Sequence, residues 1–227
     1  MGQELQEIKE RELKSRRIIL HFIRHGEAAY EEDDHEGRLT ANGEKQAQEA
    51  GRKLFDGLPQ GAILSVYSSP RQRAIQTAEL IEEEVTSLDQ ADHKGLIIHN
   101  FKPKVFEKVG LDDKVTDEAL ELINKGQDPV KEWLASPSDT TREIENSFLG
   151  ILGKFAGLAH RIGANGPEVH IVVVSHTGPS EVFVGKLINR TNLESLANCE
   201  EFKIELPTNV DAKPTLTYKG ENYEFDI

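Results

Sequence analysis

Two kinds of stretch alternate along the chain: short apolar runs, and longer segments in which apolar residues recur every three or four positions. The strongest runs are 18–23 (IILHFI) and 169–174 (VHIVVV), apolar on both faces of an extended backbone. That is the pattern of strands buried on both sides of a parallel sheet. Weaker runs at 62–67 (AILSVY) and 96–101 (LIIHNF) read as further strands. Between them, residues 40–55 place Ala47, Ala50, Gly51, Leu54 and Phe55 on one helical face, with Thr40 as the cap. Another helix is expected from Ser69 to about residue 85, with Ser69 and Gln72 as a capping box and Pro70 in the first helical position. Its inner face carries Ala74, Ala78, Ile81 and Val85.

Residues 102–114 read as irregular. Helices follow at about 115–124, 128–135 and 139–162, the last with Ile144, Phe148, Ile151, Leu152, Phe155, Leu158, Ala159 and Ile162 at helical spacing. Pro179 opens a helix to about residue 188, and strand-like segments close the chain near 199–206, 213–218 and 223–227. Strands alternating with helices predict an α/β fold: a three-layer sandwich, with a mostly parallel central sheet and helices on both faces. No repeat or linker divides 18–227, which reads as one domain. Residues 1–17 read as an N-terminal helical extension with a thin stripe of Leu5, Ile8 and Leu13, a candidate surface for homodimer contacts.

Composition narrows the function. The 227 residues carry a formal net charge of −13, which argues against nucleic acid and anionic membranes as partners. No apolar run approaches a membrane span, no secretory signal opens the chain, and Gln6 breaks a myristoylation pattern. The single cysteine, Cys199, excludes an intrachain disulfide and fits a cytoplasmic protein. In so acidic a chain a local cluster of arginines is informative, because an anion site must focus positive potential in one cleft.

Such a cluster follows from the strand ends. The first apolar run stops at Arg24-His25-Gly26-Glu27, and the run at 169–174 stops at Ser175-His176-Thr177-Gly178. Each is a strand, then a His, then a Gly, then a helix, and in open α/β sheets the carboxyl ends of strands are where ligands bind. Arg71 and Arg73 enter the first turn of the helix after the second strand, a place that favours anions. Two arginines there are unfavourable for the helix itself unless an anion offsets them. Two imidazoles among guanidiniums make a poor metal site and a good phosphoryl site: arginine forks bond phosphate oxygens, and a neutral imidazole can attack phosphorus. His21, His35 and His170 offer only a weak metal alternative. The loop 31–36 (EEDDHE) reads as solvated, although its carboxylates could hold a hard cation.

In these motifs the chain resembles the histidine phosphatase (phosphoglycerate mutase-like) superfamily. The resemblance rests on Arg24-His25-Gly26-Glu27, on 39–47 (LTANGEKQA), on 68–78 (SSPRQRAIQTA) and on 174–178 (VSHTG), in family order across about 18–190. It implies that His25 is the phosphorylated nucleophile and that Arg24, Arg73 and His176 complete the phosphate pocket. Backbone N–H groups of Thr177 or Gly178 contribute, Arg71 is a rim residue, and the Gly43 block is structural. It implies a metal-independent phosphatase with no cofactor, acting on a phosphorylated small molecule or a phosphohistidine protein. A phosphomutase, or a phospho-ligand binding protein without activity, are the alternatives.

The sequence departs from the family pattern twice. Glu31 stands where many relatives have an Asn that touches the phosphate. The stretch 105–110 (VFEKVG) is one residue short of the pattern carrying the proton-donating Glu, so Glu107 is the candidate acid, with Asp112 and Asp113 as rivals. A pocket without a strong acid would still cleave phosphoramidates or aryl phosphates.

Overall fold

A computed structural model of the protein describes residues 17–29, 37–105, 113–136, 138–162, 166–209 and 211–226. The nine strands among the described residues are β1 (Arg17–Arg24), β2 (Ala28–Ala29), β3 (Arg38–Leu39), β4 (Ile63–Ser68), β5 (Ile97–Val105), β6 (Val169–Ser175), β7 (Glu201–Pro207), β8 (Thr215–Tyr218) and β9 (Glu221–Glu224). The six helices among the described residues are α1 (Ala41–Gly57), α2 (Gln72–Asp92), α3 (Asp113–Asn124), α4 (Pro129–Ala135), α5 (Asp139–Ile162) and α6 (Pro179–Ile188). The N-terminal extension, the loop with Glu31 and His35, and Glu107 and Asp112 lie outside the described residues; Asp113 opens α3.

Seven strands form one sheet in the order β5-β4-β6-β1-β7-β8-β9. The three pairings along β5–β4–β6–β1 are parallel and the three along β1–β7–β8–β9 antiparallel, so the sheet is mixed, with five of its seven strands running the same way. β6 is buried at every position, and β1 at all but its two ends; β7 alternates, as a strand with one polar face must.

Side-chain alternation sends β1 and β6 into two separate cores. Ile18, Leu20, Phe22, Val169, Ile171 and Val173 pack with α5 and α6, where Phe148 and Phe183 stack and Phe22 meets both at a tilt. Ile23, Val172 and Val174 pack with α1 and α2 through Ala50, Leu54, Ala74, Ala78 and Ile81. Two cores, one on each face, make the three-layer sandwich.

The structure differs from expectation at three places. β5 runs on to Val105 across an irregular step, where Ser65 pairs with His99 but Tyr67 with Lys104; a ladder broken this way leaves no clean alternation to read. α2 extends to Asp92 and ends in a left-handed His93. The same helix does not start as a capping box: its cap residue is Arg71, with no side-chain cap bond, and Ser69 is engaged elsewhere.

His21 and His170 are satisfied core residues. His21 bonds Glu201 Oε2 through Nδ1 (2.8 Å) and His170 Nδ1 through Nε2 (2.9 Å), and His170 Nε2 meets Glu168 Oε1 at 2.8 Å. With all four ring nitrogens engaged, neither has an atom to offer a metal.

Candidate active site

β1 and β6 are neighbours in parallel, with Arg24 directly beside Ser175. The residues that follow them, His25 and His176, therefore leave the sheet side by side, their ring centroids 5.0 Å apart and edge to face. β4 flanks β6 on the other side, and Ser69, Arg71 and Arg73 follow it. Three adjacent parallel strands thus deliver the two-histidine, three-arginine cluster to one end of the sheet. All but Arg24 are buried: His25 at 5% exposure, His176 at 1%, Arg73 at 4% and Arg71 at 9%. Arg71, expected at the rim, belongs to the pocket and lies close enough to His176 to disfavour its protonation.

The His25 imidazole is oriented through both nitrogens. Nδ1 lies 2.7 Å from the Gly26 carbonyl, an acceptor only, so Nδ1 carries the proton. Nε2 is left with its lone pair, which accepts from Arg73 Nε at 3.1 Å. Burial, reinforced by Arg73 and Arg24 against the pull of the Gly26 carbonyl, lowers the His25 pKa to about 4. The ring is neutral at physiological pH, with its free electron pair on the nitrogen facing Arg73. That is the form in which an imidazole is a nucleophile.

The turn holding that ring is pinned on all sides. The peptide between His25 and Gly26 accepts Asn198 Nδ2 at its oxygen and donates to Thr77 Oγ1 at its nitrogen, each at 3.0 Å. Thr77 returns its own proton to the Arg73 carbonyl. The next peptide donates Glu27 N–H to Gln46 Oε1 at 2.8 Å. Gly26 and Gly43 are required here because the backbones cross: a Cβ on Gly43 would sit 2.0 Å from the Glu27 carbonyl oxygen, and one on Gly26 2.6 Å from the Gly43 oxygen. The Glu27 side chain is tied to the start of α1. Its carboxylate accepts from Thr40 Oγ1 (2.7 Å) and Asn42 Nδ2 (3.0 Å), and Thr40 also caps α1 through Gly43 N–H. These bonds hold the Glu27 pKa below its ordinary value. The two early motifs form one latch between the β1 turn and the start of α1.

His176 is held differently. Its Nε2 shares a 2.7 Å hydrogen bond with Ser69 Oγ, while the buried Nδ1 has no hydrogen-bond partner among the described residues. Burial first, then His25 and the three arginines, place its pKa well below the ordinary value, so it too is neutral. Arg24 donates from Nη1 to the Leu196 carbonyl at 2.7 Å, and its buried Nε has no hydrogen-bond partner among the described residues. Two unpartnered buried nitrogens in one cationic pocket fit an oxyanion. The Gly178 N–H is engaged by Glu181 Oε2 at 2.6 Å. Cys199 is inert by its surroundings: burial pushes its thiol up to about 12.

Sequence reasoning missed the partners that orient the pocket. Asn198 and the Leu196 carbonyl sit in a loop with no motif. Glu181 had a signal: it is the one carboxylate of α6, next to the apolar run Val182-Phe183-Val184, and all four are buried.

Two neutral imidazoles and three guanidiniums, gathered at the ends of adjacent strands of an α/β sheet, suit an oxyanion by their charge. The chain belongs to the histidine phosphatase superfamily, branch 1, whose family model matches residues 20–205. Its fold is similar to mycobacterial glucosyl-3-phosphoglycerate phosphatase, at 17% identity and TM-score 0.56, over 84% of this chain and 91% of that one. It is also similar to phosphoglycerate mutase of Bacillus anthracis, at 18% identity and TM-score 0.53, over 95% of each. Phosphoserine phosphatase of Entamoeba histolytica, solved with 3-phosphoglyceric acid, matches at 18% identity and TM-score 0.51, over 88% of this chain and 95% of that one. At these identities the likeness is one of fold. No curated protein matches the sequence. Among the described residues, no helix is long and apolar enough to cross a membrane.

Proposed function

We propose that the protein is a phosphatase that hydrolyses a phosphomonoester or phosphoramidate through a phosphohistidine on His25. One observation carries the reading: the neutral His25 ring is fixed with Nδ1 protonated against Gly26 and the Nε2 electron pair beside the Arg73 guanidinium. Arg73 then does two things in sequence, holding Nε2 in line and turning to the phosphoryl oxygens as they arrive.

In the first step Nε2 attacks phosphorus, the bond from phosphorus to the leaving group breaks, and the leaving group takes a proton. Glu107 is the proposed donor. In the second step water attacks the phosphorus, the bond to Nε2 breaks, and the water's proton passes to the same carboxylate. Arg24, Arg71, Arg73 and His176 stabilise the negative oxygens in both steps. No step calls for a metal, since fixed arginines already supply the charge.

The relatives named for phosphatase activity support a small phosphorylated metabolite as substrate, and a phosphohistidine peptide is the second candidate class. The test is pre-steady-state hydrolysis of p-nitrophenyl phosphate. The wild type should give a burst of nitrophenol with acid-labile, base-stable phosphate on the protein, and His25→Ala should give neither. Tight phosphate binding without turnover of any ester would move the reading to a binding protein. Isomerised monophosphate formed in the presence of a bisphosphate primer would move it to a mutase.

A further inference from the structure

The loop 194–200 contacts the Arg24-His25 turn at more points than any catalytic assignment requires. Arg24 N–H donates to the Glu200 carbonyl and Cys199 N–H to the Arg24 carbonyl, each at 3.0 Å, extending the β1–β7 ladder past its last strand residue. The Leu196 carbonyl accepts from the Arg24 guanidinium and Asn198 holds the His25 carbonyl. A loop that grips both the side chain of one pocket residue and the backbone of the next must itself be fixed.

It is fixed from two directions. On the outer side, Tyr218 Oη donates to the Glu194 carbonyl, and Glu200 Oε2 accepts from Ala197 N–H and Lys219 Nζ, both at 2.6 Å. On the inner side stands Glu181, fully buried on α6. One of its oxygens accepts Leu196 N–H at 3.0 Å and the other accepts Gly178 N–H at 2.6 Å. A single carboxylate therefore joins the His176-Thr177-Gly178 turn to the peptide whose carbonyl holds Arg24. Burying a carboxylate is costly, and two backbone bonds to it are not needed to fold a helix start that Pro179 already favours.

We infer that Glu181 is a positioning residue that sets where the Arg24 guanidinium meets the phosphoryl group, acting through the Leu196 peptide. The inference rests on the phosphate-pocket reading above. Glu181 touches no substrate; its path runs from its Oε1 to Leu196 N–H, and from the Leu196 carbonyl to Arg24 Nη1. Loosening that path displaces the Arg24 cation, which meets the same phosphoryl oxygens in the bound substrate and in both steps, while the Asn198 bond still holds the His25 carbonyl, so the loss falls mainly on KM.

The test is a double-variant cycle with Glu181→Gln and Arg24→Ala, read by KM for p-nitrophenyl phosphate, inhibition by inorganic phosphate, and kcat. In the Arg24 background, E181Q should raise KM and the phosphate inhibition constant by roughly tenfold, with kcat within about twofold. In R24A, the same substitution should change neither by more than about twofold, because the residue through which it acts is gone. Equal effects of E181Q in both backgrounds, or none in either, overturn the inference and leave the phosphatase reading standing. A wild type that neither binds phosphate nor hydrolyses the ester overturns both. Should E181Q not fold, Glu181→Asp, which keeps the charge and shortens the reach by one methylene, takes its place in the same cycle with the same criteria.

Discussion

The turns after β1 and β6 are near copies in sequence and unlike in their chemistry. In both a strand runs into a His and then a Gly, and their strands lie in register side by side. Yet His25 has both ring nitrogens engaged, one by a carbonyl and one by a guanidinium, whereas His176 is tied through Nε2 to Ser69, and its Nδ1 has no partner among the described residues. The neighbours of each ring, more than its place on the sheet, allot the roles. His25 is held as a fixed neutral base aimed at one point, and His176 as a polar group facing the same point from the next strand.

That contrast predicts unequal losses when either ring is removed. His25→Ala should lower kcat by more than roughly a thousandfold and leave no phosphate on the protein. His176→Ala should cost on the order of a hundredfold, the usual scale for one oxyanion donor, while phosphate is still trapped. Equal losses with no trapped phosphate in either variant would erase the distinction. Rapid-quench assays of both variants decide it.

A second way to sharpen the comparison uses pH. The His25 pKa lies near 4 in the folded protein against an ordinary value of 6.5, so as pH falls through this window the unfolded chain takes up a proton that the folded chain refuses. Stability from this group is therefore present above pH 6.5 and is lost on acidification. Between pH 7 and 4 the wild type should lose about 3 kcal/mol more stability than His25→Asn. Urea unfolding of the two proteins across that range measures it, and parallel curves would mean that His25 titrates normally.

The smallest effect concerns Ser69. Ser69→Ala removes the one hydrogen bond on His176 Nε2, and should lower kcat about threefold to tenfold, the worth of a single buried hydrogen bond, with helix content unchanged. If Ser69 were instead the cap of α2, the loss would appear in the melting temperature and spare kcat.

Ser69 also marks where the sequence stops being legible. Ser-Pro-Arg-Gln has every local feature of a capping box, and the helix does begin nearby; a tertiary partner, His176, took the hydroxyl. The two central strands were plain because burial on both faces leaves an unbroken apolar run, and α1 was plain because Thr40 and its small-residue face are local signals. β5 was cut short because its ladder with β4 skips a step near Tyr67. The main pocket residues are legible because Arg24 ends a strand, His25 and His176 directly follow one, and Arg71 and Arg73 open the helix after a third. Their supports could not: a backbone carbonyl such as that of Leu196 has no side-chain signature, and Asn198 and Glu181 come near the turn only through the fold.

The central claim is that Nε2 of His25 carries the phosphoryl group. Acid-sparing quench during turnover, followed by peptide mass spectrometry and 31P NMR of the denatured protein, tests it directly. The account predicts a single phosphorylated residue, His25, with phosphorus bonded to Nε2. Phosphate on His176, or on Nδ1 of His25, would contradict it.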